Sequence, residues 1–438
     1  MRLYGSGKDA TTFITLVRSG KKVTTSRGPL FGAAKTSAKT HGSPAKAKAA
    51  HDELLAKYRA EGFCVMGELP APQVPIARDA ALEAELRRDR DDPAPYLVYA
   101  DWLQGQGSPL GEMLVLAQGK KKRQADAIAK KIGLPEPDLA TVEWRHGLWK
   151  TVFFDNSLDH MTDEYDPAAF ARAVFASPLC AALEELRIGM LRWDFQDDPA
   201  VLAEAGKHAW AADLVRLRVG DVSTSIDMNH HAVGAVGKQI TKTFPRLRSL
   251  WIRSGETYGG PATFGVDGLA LPELTELTVE TCAMSRKRMK AIAAAKLPRL
   301  ERLTLWFGEY AREATATVAD VVPVWSGAFP YLTHLGVCNS ELVTDVARLL
   351  PASKLAPKLR SLDLSRGTFG DDDAAELAAE AKRFRALATL DVSRSFLTAA
   401  GVRALKAAFP GVTVVAKDQR AERDEADYGS ARYVSVRE

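Results

Sequence analysis

The chain has 438 residues, with 59 Lys plus Arg against 55 Asp plus Glu and a net charge of +4. That length exceeds one compact core, so two or three domains are expected. Apolar content of 46% and charged content of 26% are those of a globular protein, and no apolar run reaches the roughly 18 residues of a membrane span.

Cys64, Cys180, Cys282 and Cys338 lie far apart, and none forms a C-x-x-C pair. This argues against a structural zinc and a disulfide framework. Reduced, buried thiols in a cytoplasm are the plain expectation, and the N-terminus lacks the charged-then-apolar pattern of a secretory signal. The charge is unevenly spread. Residues 1–63 hold 12 Lys plus Arg against 4 Asp plus Glu, the remainder 47 against 51. Such asymmetry points the basic segment towards a polyanionic partner.

Residues 1–66 read as a small basic α+β domain. Thr11 to Val17 (TTFITLV) is β-branched and apolar, a strand signal. Arg18, Ser19 and Gly20 turn it, Lys21 to Thr25 returns, and Gly28, Pro29 and Gly32 mark a loop. Ser43 then caps a helix with Pro44 in its first turn, running to Glu61 and stopped by Gly62. This order of strand, Arg-x-Gly turn, basic loop, Ser-Pro helix and closing Gly-aromatic resembles the WGR domain. Leu16-Val17-Arg18 stands where that family has Trp-Gly-Arg. The resemblance implies a link to nucleic acid, including DNA ends. Arg18, Lys21, Lys22, Arg27, Lys35 and Lys39 cluster around the turn and loop as candidate phosphate contacts, which give affinity without sequence readout. The alternative is a solvated basic face.

Residues 67–78 carry three prolines and read as a stiff linker. Residues 79–154 read as a helical module. Asp79 caps one helix, Pro93 and Pro95 start a second that Gly105 and Gly107 stop, and Ser108-Pro109 starts a third. Asp91, Pro93, Tyr99, Ala100, Asp101, Trp102, Leu103, Gly107, Pro109, Gly111, Glu112 and Gln118 resemble the hallmark of a short repeat-companion domain of large bacterial proteins. That family is defined by its sequence and its company, and implies no chemistry. Asp101 and Glu112 are read as caps or Arg partners rather than catalytic carboxylates, and Trp102 as a packing anchor. Lys120 to Arg123, with Lys130 and Lys131, is a basic helix face. Thr151 to Phe154 is an apolar strand leading into the repeats.

Residues 155–418 repeat one phrase, L-x-x-L-x-L, with first leucines at Leu183, Leu214, Leu247, Leu274, Leu300, Leu332, Leu359 and Leu387, and Val412 opening a shorter copy. Ser285 to Ala295, Asp371 to Lys382 and Thr398 to Ala408 read as helices between the strands; Gly-rich Glu256 to Leu269 does not. The pattern resembles leucine-rich repeats. The fold class expected is therefore α/β: a leucine-rich-repeat solenoid with parallel strands and one helix per repeat, behind a small α+β domain and a small helical module. Strand parity turns the residues between the leucines to the opposite, concave face. There Arg216, Arg218, Trp251, Arg253, Arg302 and Trp306 form the candidate protein-partner site, since Arg and Trp are enriched anchors of interfaces. Coverage by helices or the tail is the alternative. Residues 419–438 are a charged tail, disordered to about Ser430, whose last residues alternate and suit pairing with an edge.

No catalytic motif is present: no G-x-S-x-G, no Gly-Lys-Ser/Thr phosphate loop, no H-E-x-x-H, and His230-His231 lacks a third ligand. No catalytic residue, metal or cofactor is expected. The leading reading is a cytoplasmic, non-enzymatic recognition scaffold that binds a protein through the repeat face, with DNA or RNA as the second partner at the basic domain. The alternative makes nucleic acid the main ligand and the repeats a regulatory module.

Overall fold

A computed structural model describes residues 2–4, 12–29, 34–65, 76–119, 121–132, 140–154, 167–191, 197–222, 231–255, 264–310, 314–423 and 431–436. The chain divides into two compact units, residues 1–184 with 207–210, and residues 185–206 with 211–438.

The first unit opens with strands β1 (Arg2–Tyr4), β2 (Thr12–Ser19), β3 (Lys22–Pro29) and β4 (Lys35–Thr40), helix α1 (Pro44–Ala60) and strand β5 (Cys64–Val65). They form an antiparallel sheet in the order β4-β3-β2-β1-β5. Ser43 caps α1 by accepting from the Lys46 N–H at 3.2 Å. Leu54, Leu55 and Tyr58 of α1 pack on Leu3, Ile14, Leu16 and Phe63. Strand β4 departs from the sequence reading, which placed a basic loop there. Its six residues KTSAKT are all exposed, so they carry no apolar alternation to read.

Four helices follow: α2 (Ala80–Arg88), α3 (Ala94–Gly105), α4 (Pro109–Gln118) and α5 (Lys122–Ile132). Asp79 caps α2 by accepting from the Ala81 and Leu82 N–H groups, each at 2.9 Å. Gly107 takes a φ of +71° after α3, a conformation that disfavours any residue with a Cβ. Gly111 has a different reason: a Cβ there would strike the Ala100 carbonyl and the Gln104 backbone of α3. The motif's glycines thus serve one helix exit and one close helix crossing. Tyr99 is buried; its hydroxyl donates to Glu83 Oε1 at 3.1 Å, and Glu83 also receives Arg78 Nε at 2.8 Å. Glu112 sits in the first turn of α4, where a carboxylate favours the positive end of the helix; Asp101 is exposed. Strands β6 (Thr141–Arg145) and β7 (Leu148–Phe154) pair antiparallel around His146 and Gly147, both at positive φ, as a tight two-residue turn requires. Helix α6 (Pro167–Phe175) supplies Phe170 and Phe175, whose rings meet Phe154 edge-on at 5.5 and 5.4 Å.

The second unit alternates strand and helix: β8 (Glu185–Ile188), α7 (Asp198–Ala205), β9 (Arg216–Val219), α8 (Gly237–Thr243), β10 (Ser249–Arg253), β11 (Glu276–Glu280), α9 (Arg286–Ala293), β12 (Arg302–Gly308), α10 (Val318–Pro323), β13 (His334–Ser340), α11 (Val343–Leu349), β14 (Ser361–Asp363), α12 (Asp371–Ala379), β15 (Thr389–Asp391), α13 (Ala399–Ala408) and β16 (Thr413–Val415). Strands β8 to β16 pair parallel, each with the next in the chain. Strands β8 to β15 each begin two residues after the first leucine of a repeated phrase, and β16 begins one residue after Val412. Leu217, Leu250, Leu277, Leu303, Leu335, Leu362 and Leu390 stack in register and are buried. Among the described residues between β10 and β11 there is no helix.

The stack makes each leucine depend on its neighbours. Leu277 is fully buried between Leu250 and Leu303. Leu277→Ala should cost about 2–5 kcal/mol, from lost transfer energy and the cavity left behind, read as a lower urea midpoint for this unit.

Two sequence expectations need correction here. Gln419 and Arg420, expected in a disordered tail, are held: Gln419 Nε2 donates to the Val392 carbonyl at 2.8 Å and Arg420 to the Gly367 carbonyl at 2.7 Å. Trp306 and Arg253 were expected on a free face. Both point to the predicted side of the sheet, yet Trp306 is 5% exposed and Arg253 8%. Val436 packs on Trp306, and Arg253 is held by Glu280 and the Val222 carbonyl.

Candidate functional site

The face of the parallel sheet opposite its leucine core is built by strand alternation, with leucine, valine and isoleucine anchors turned one way and the intervening residues the other. Register arranges the latter in three rows. The first runs Glu185, Arg216, Ser249, Glu276, Arg302, His334. The second runs Arg187, Arg218, Trp251, Thr278, Thr304, Gly336. The third pairs Arg253 with Glu280, and Trp306 with Cys338. The first row is exposed or half-buried, and from Arg187 to Thr304 the second is half-buried. In the third, all four residues are buried. The face is thus open at the strands' N-terminal ends and closed at their C-terminal ends.

The open rows are charged, and most of their arginines have an acidic partner. Arg302 lies 3.8 Å from Glu276, Arg218 lies 3.8 Å from Glu185, and Asp221 meets Arg187 at 2.6 Å and Arg218 at 3.6 Å. Ser249 Oγ donates to Glu276 at 3.1 Å. Arg187, Arg218 and Arg302 are therefore not free cations. They make a network of ion pairs that ranges from part-buried, at Asp221, to exposed, at Arg302 and Glu276, where the pair is worth at most about 1 kcal/mol. Trp251 stands in the middle, half-buried, with the Arg218 guanidinium 5.4 Å and the Arg253 guanidinium 4.8 Å from its ring centre. Both distances suit cation–π attraction. His334 closes the first row; burial, with Arg302 next, lowers its imidazole pKa.

The third row is locked. Arg253 Nε donates to Glu280 at 2.8 Å, and the same guanidinium reaches the Val222 carbonyl. Trp306 packs with Cys282, Cys338 and Val436, and the Arg366 guanidinium lies 5.2 Å from its ring centre. Of the six candidates, Arg216, Arg218, Trp251 and Arg302 remain in the open rows. Sequence reading missed Glu185, Asp221 and Glu276 as the neutralising partners; opposite charges at matching repeat positions were the available signal.

The basic candidates of the N-terminal domain do not form one patch. Ile14, Leu16 and Arg18 share a sheet face with Val23 and Arg27 and with Lys35 and Lys39, as the pairings Arg18 with Val23, Arg27 with Lys35 and Val23 with Lys39 require. Lys22 points to the other face and Lys21 lies in the turn. All six are exposed, and Arg27 lies 5.3 Å from the Phe63 ring centre. Among the described residues Arg18, Lys21, Lys22, Lys35 and Lys39 make no ion pair.

His231 and Asp198 form a buried pair away from the strand face, 2% and 1% exposed, with Nε2 and Oδ2 3.8 Å apart. Neither side chain has a hydrogen-bond partner among the described residues. Burial pushes the His231 imidazole down to about 4 and the Asp198 carboxyl well above its ordinary value, in each case against the charged form. The signs are opposite. Below pH 6.5 the unfolded chain protonates His231 while the folded chain resists until about pH 4, so this group's contribution falls with pH by up to about 3 kcal/mol. Asp198 contributes fully below its unfolded value of 3.8 and loses that contribution as pH rises. Asp198→Asn should therefore stabilise the chain more at pH 8 than at pH 4. His231→Gln should flatten the loss between pH 6.5 and 4. Urea midpoints across that range, variant against wild type, test both. His230 lies outside the described residues. Among them no group of three or more His, Cys, Asp or Glu side chains is placed to hold a metal ion.

Comparison with known proteins adds the fold. No family model and no curated protein matches the chain. It is similar to a Bacteroides fragilis protein of known crystal structure, at 15% identity and a TM-score of 0.51, over 100% of this chain and 99% of that chain. That likeness extends to the fold alone. A superposition on an internalin of Listeria monocytogenes gives a TM-score of 0.28 at 13% identity, over 58% of this chain and 72% of that chain. No helix among the described residues is long and apolar enough to cross a membrane.

Proposed function

We propose that the chain is a non-enzymatic recognition scaffold that binds a protein partner through the open rows of its parallel sheet. In this reading the strand–helix units form a leucine-rich-repeat solenoid, residues 79–154 are its companion module, and the protein works in the cytoplasm. The observation that carries the proposal is Trp251. It is a large aromatic side chain left half-buried in the middle of the open sheet face, between two guanidinium groups. Such Trp and Arg clusters dominate interface energetics when desolvated by a partner. Arg218 lies beside Trp251 on the neighbouring strand, and Arg302, two strands away in the first row, pairs with Glu276 through an ion pair that a partner's charges can replace.

The test is affinity capture from the native lysate, followed by titration of the identified partner against purified variants. Trp251→Ala should weaken binding by at least about 2 kcal/mol, roughly 30-fold in Kd. Trp306→Phe should leave the affinity within about two-fold, because Trp306 is buried. Unchanged binding by a Trp251→Ala, Arg218→Ala, Arg302→Ala triple variant would remove the reading.

A second reading concerns the WGR-like domain, favoured by five exposed basic residues, on or beside one small sheet, that make no ion pair among the described residues. If Arg18, Lys21, Lys22, Arg27, Lys35 and Lys39 meet about five phosphates, duplex DNA should bind with a log-log salt slope of about −4 to −5. A flat salt response by the full chain contradicts it.

A further inference from the structure

The closed end of the strand face has a distinct architecture. Three successive strand ends carry a non-glycine residue at positive φ: Asn339 at +46°, Arg366 at +67° and Arg394 at +55°. That conformation is costly for a residue with a Cβ, and Asn is the one of the three that adopts it readily. It turns the carbonyls of Arg366 and Arg394 out of the strand ladder, where they accept from other segments. Residues 431–436 lie across this row.

The contacts have the chemistry of peptide recognition. The Asn339 side chain grips one residue of the C-terminal segment from both sides: its Nδ2 donates to the Val436 carbonyl and its Oδ1 accepts the Val436 N–H, each at 2.8 Å. The Ser435 N–H donates to the Arg366 carbonyl at 2.9 Å. These bonds read main chain, not side chain. The Val436 side chain fills an apolar pocket of Trp306, Cys282 and Cys338, and Val434 is fully buried. Tyr433 meets Phe396 edge-on at 5.3 Å, beneath the Arg420 guanidinium. Alternate aliphatic residues in pockets and a main chain held by fixed polar groups are how extended peptides are bound elsewhere.

We propose that the Trp306–Asn339 cleft is a binding site for an extended peptide carrying small aliphatic residues, and that residues 431–436 occupy it in cis. This goes beyond the partner site at Trp251 and does not rest on it. The cis segment has a tether's advantage, an effective concentration of about millimolar, which excludes peptides of ordinary affinity. A partner that presents a similar segment must compete with it.

The test uses the full chain and a labelled synthetic peptide of residues 431–438. Val436→Asp expels the segment by placing a charge in the apolar pocket, and Ser435→Pro does so independently by removing a donor. Both variants should unfold cooperatively within a few degrees of wild type. Both should bind the peptide saturably, at least about ten-fold tighter than wild type does. A peptide with Asp in place of Val436 should not bind. No saturable binding to either variant, or equal binding to wild type and variants, overturns the proposal. So does a fall of more than about 10 °C in the melting point of both variants, since the segment would then be part of the core.

Discussion

Gly308→Ala should be among the most damaging single substitutions in the second unit. Gly308 ends β12 with a φ of +78°, and a Cβ there would land on the Cys282 carbonyl, which is backbone and has nowhere to move. The left-handed conformation alone costs an alanine about 1–2 kcal/mol. The clash adds to it, because the bridge between Ala283 and Gly308 and the bond from the Met284 N–H to the Phe307 carbonyl at 2.8 Å hold the two chains at that spacing. A loss of at least about 3 kcal/mol is expected. Gly411 is the control. Its φ is +82°, but nothing among the described residues lies within 4 Å of its would-be Cβ. Gly411→Ala should cost only the conformational part, about 1–2 kcal/mol. Urea denaturation of the two variants separates close approach from backbone strain, and equal losses would contradict the account of Gly308.

Arg253→Met should cost about 3–5 kcal/mol, although it puts an apolar side chain in a buried place. The reason is Glu280, 7% exposed, which would lose the guanidinium that donates to it at 2.8 Å. The Val222 carbonyl loses a donor as well. Removing the second charge should recover much of the loss: Arg253→Met with Glu280→Gln is expected to be more stable than Arg253→Met alone. A double-mutant cycle by urea denaturation measures this coupling. Strictly additive losses would mean that the pair is not coupled in solution.

The parallel sheet was readable because strands β8 to β15 repeat one leucine phrase, which recurs in shortened form with valines at β16. Strand parity also put Trp251 and Trp306 on the correct face. What parity does not give is cover. The residue that closes Trp306, Val436, comes from beyond the last strand, and the bond that places it spans 97 positions from Asn339. A local pattern contains no information of that range. The alternation of Val434 and Val436 was visible, and it suggested edge pairing; the segment instead crosses strand ends. The lattice of ion pairs was hidden for a related reason, since Glu276 and Arg302 become neighbours only through register. Strand β4 escaped because all its residues are exposed and none of its periodicity is apolar. In the helical module the glycines were visible in the sequence, but the reason for Gly111 appears only where α4 crosses the α3 backbone.

The account turns on one contrast: Trp251 on an open strand face and Trp306 beneath the C-terminal segment. Hydroxyl-radical footprinting with mass spectrometry reads both in a single sample of the full chain. Trp251 should be oxidised readily and Trp306 protected, and Val436→Asp should expose Trp306 without altering Trp251. Equal oxidation of the two tryptophans in the wild-type chain would contradict the assignment of open and closed rows.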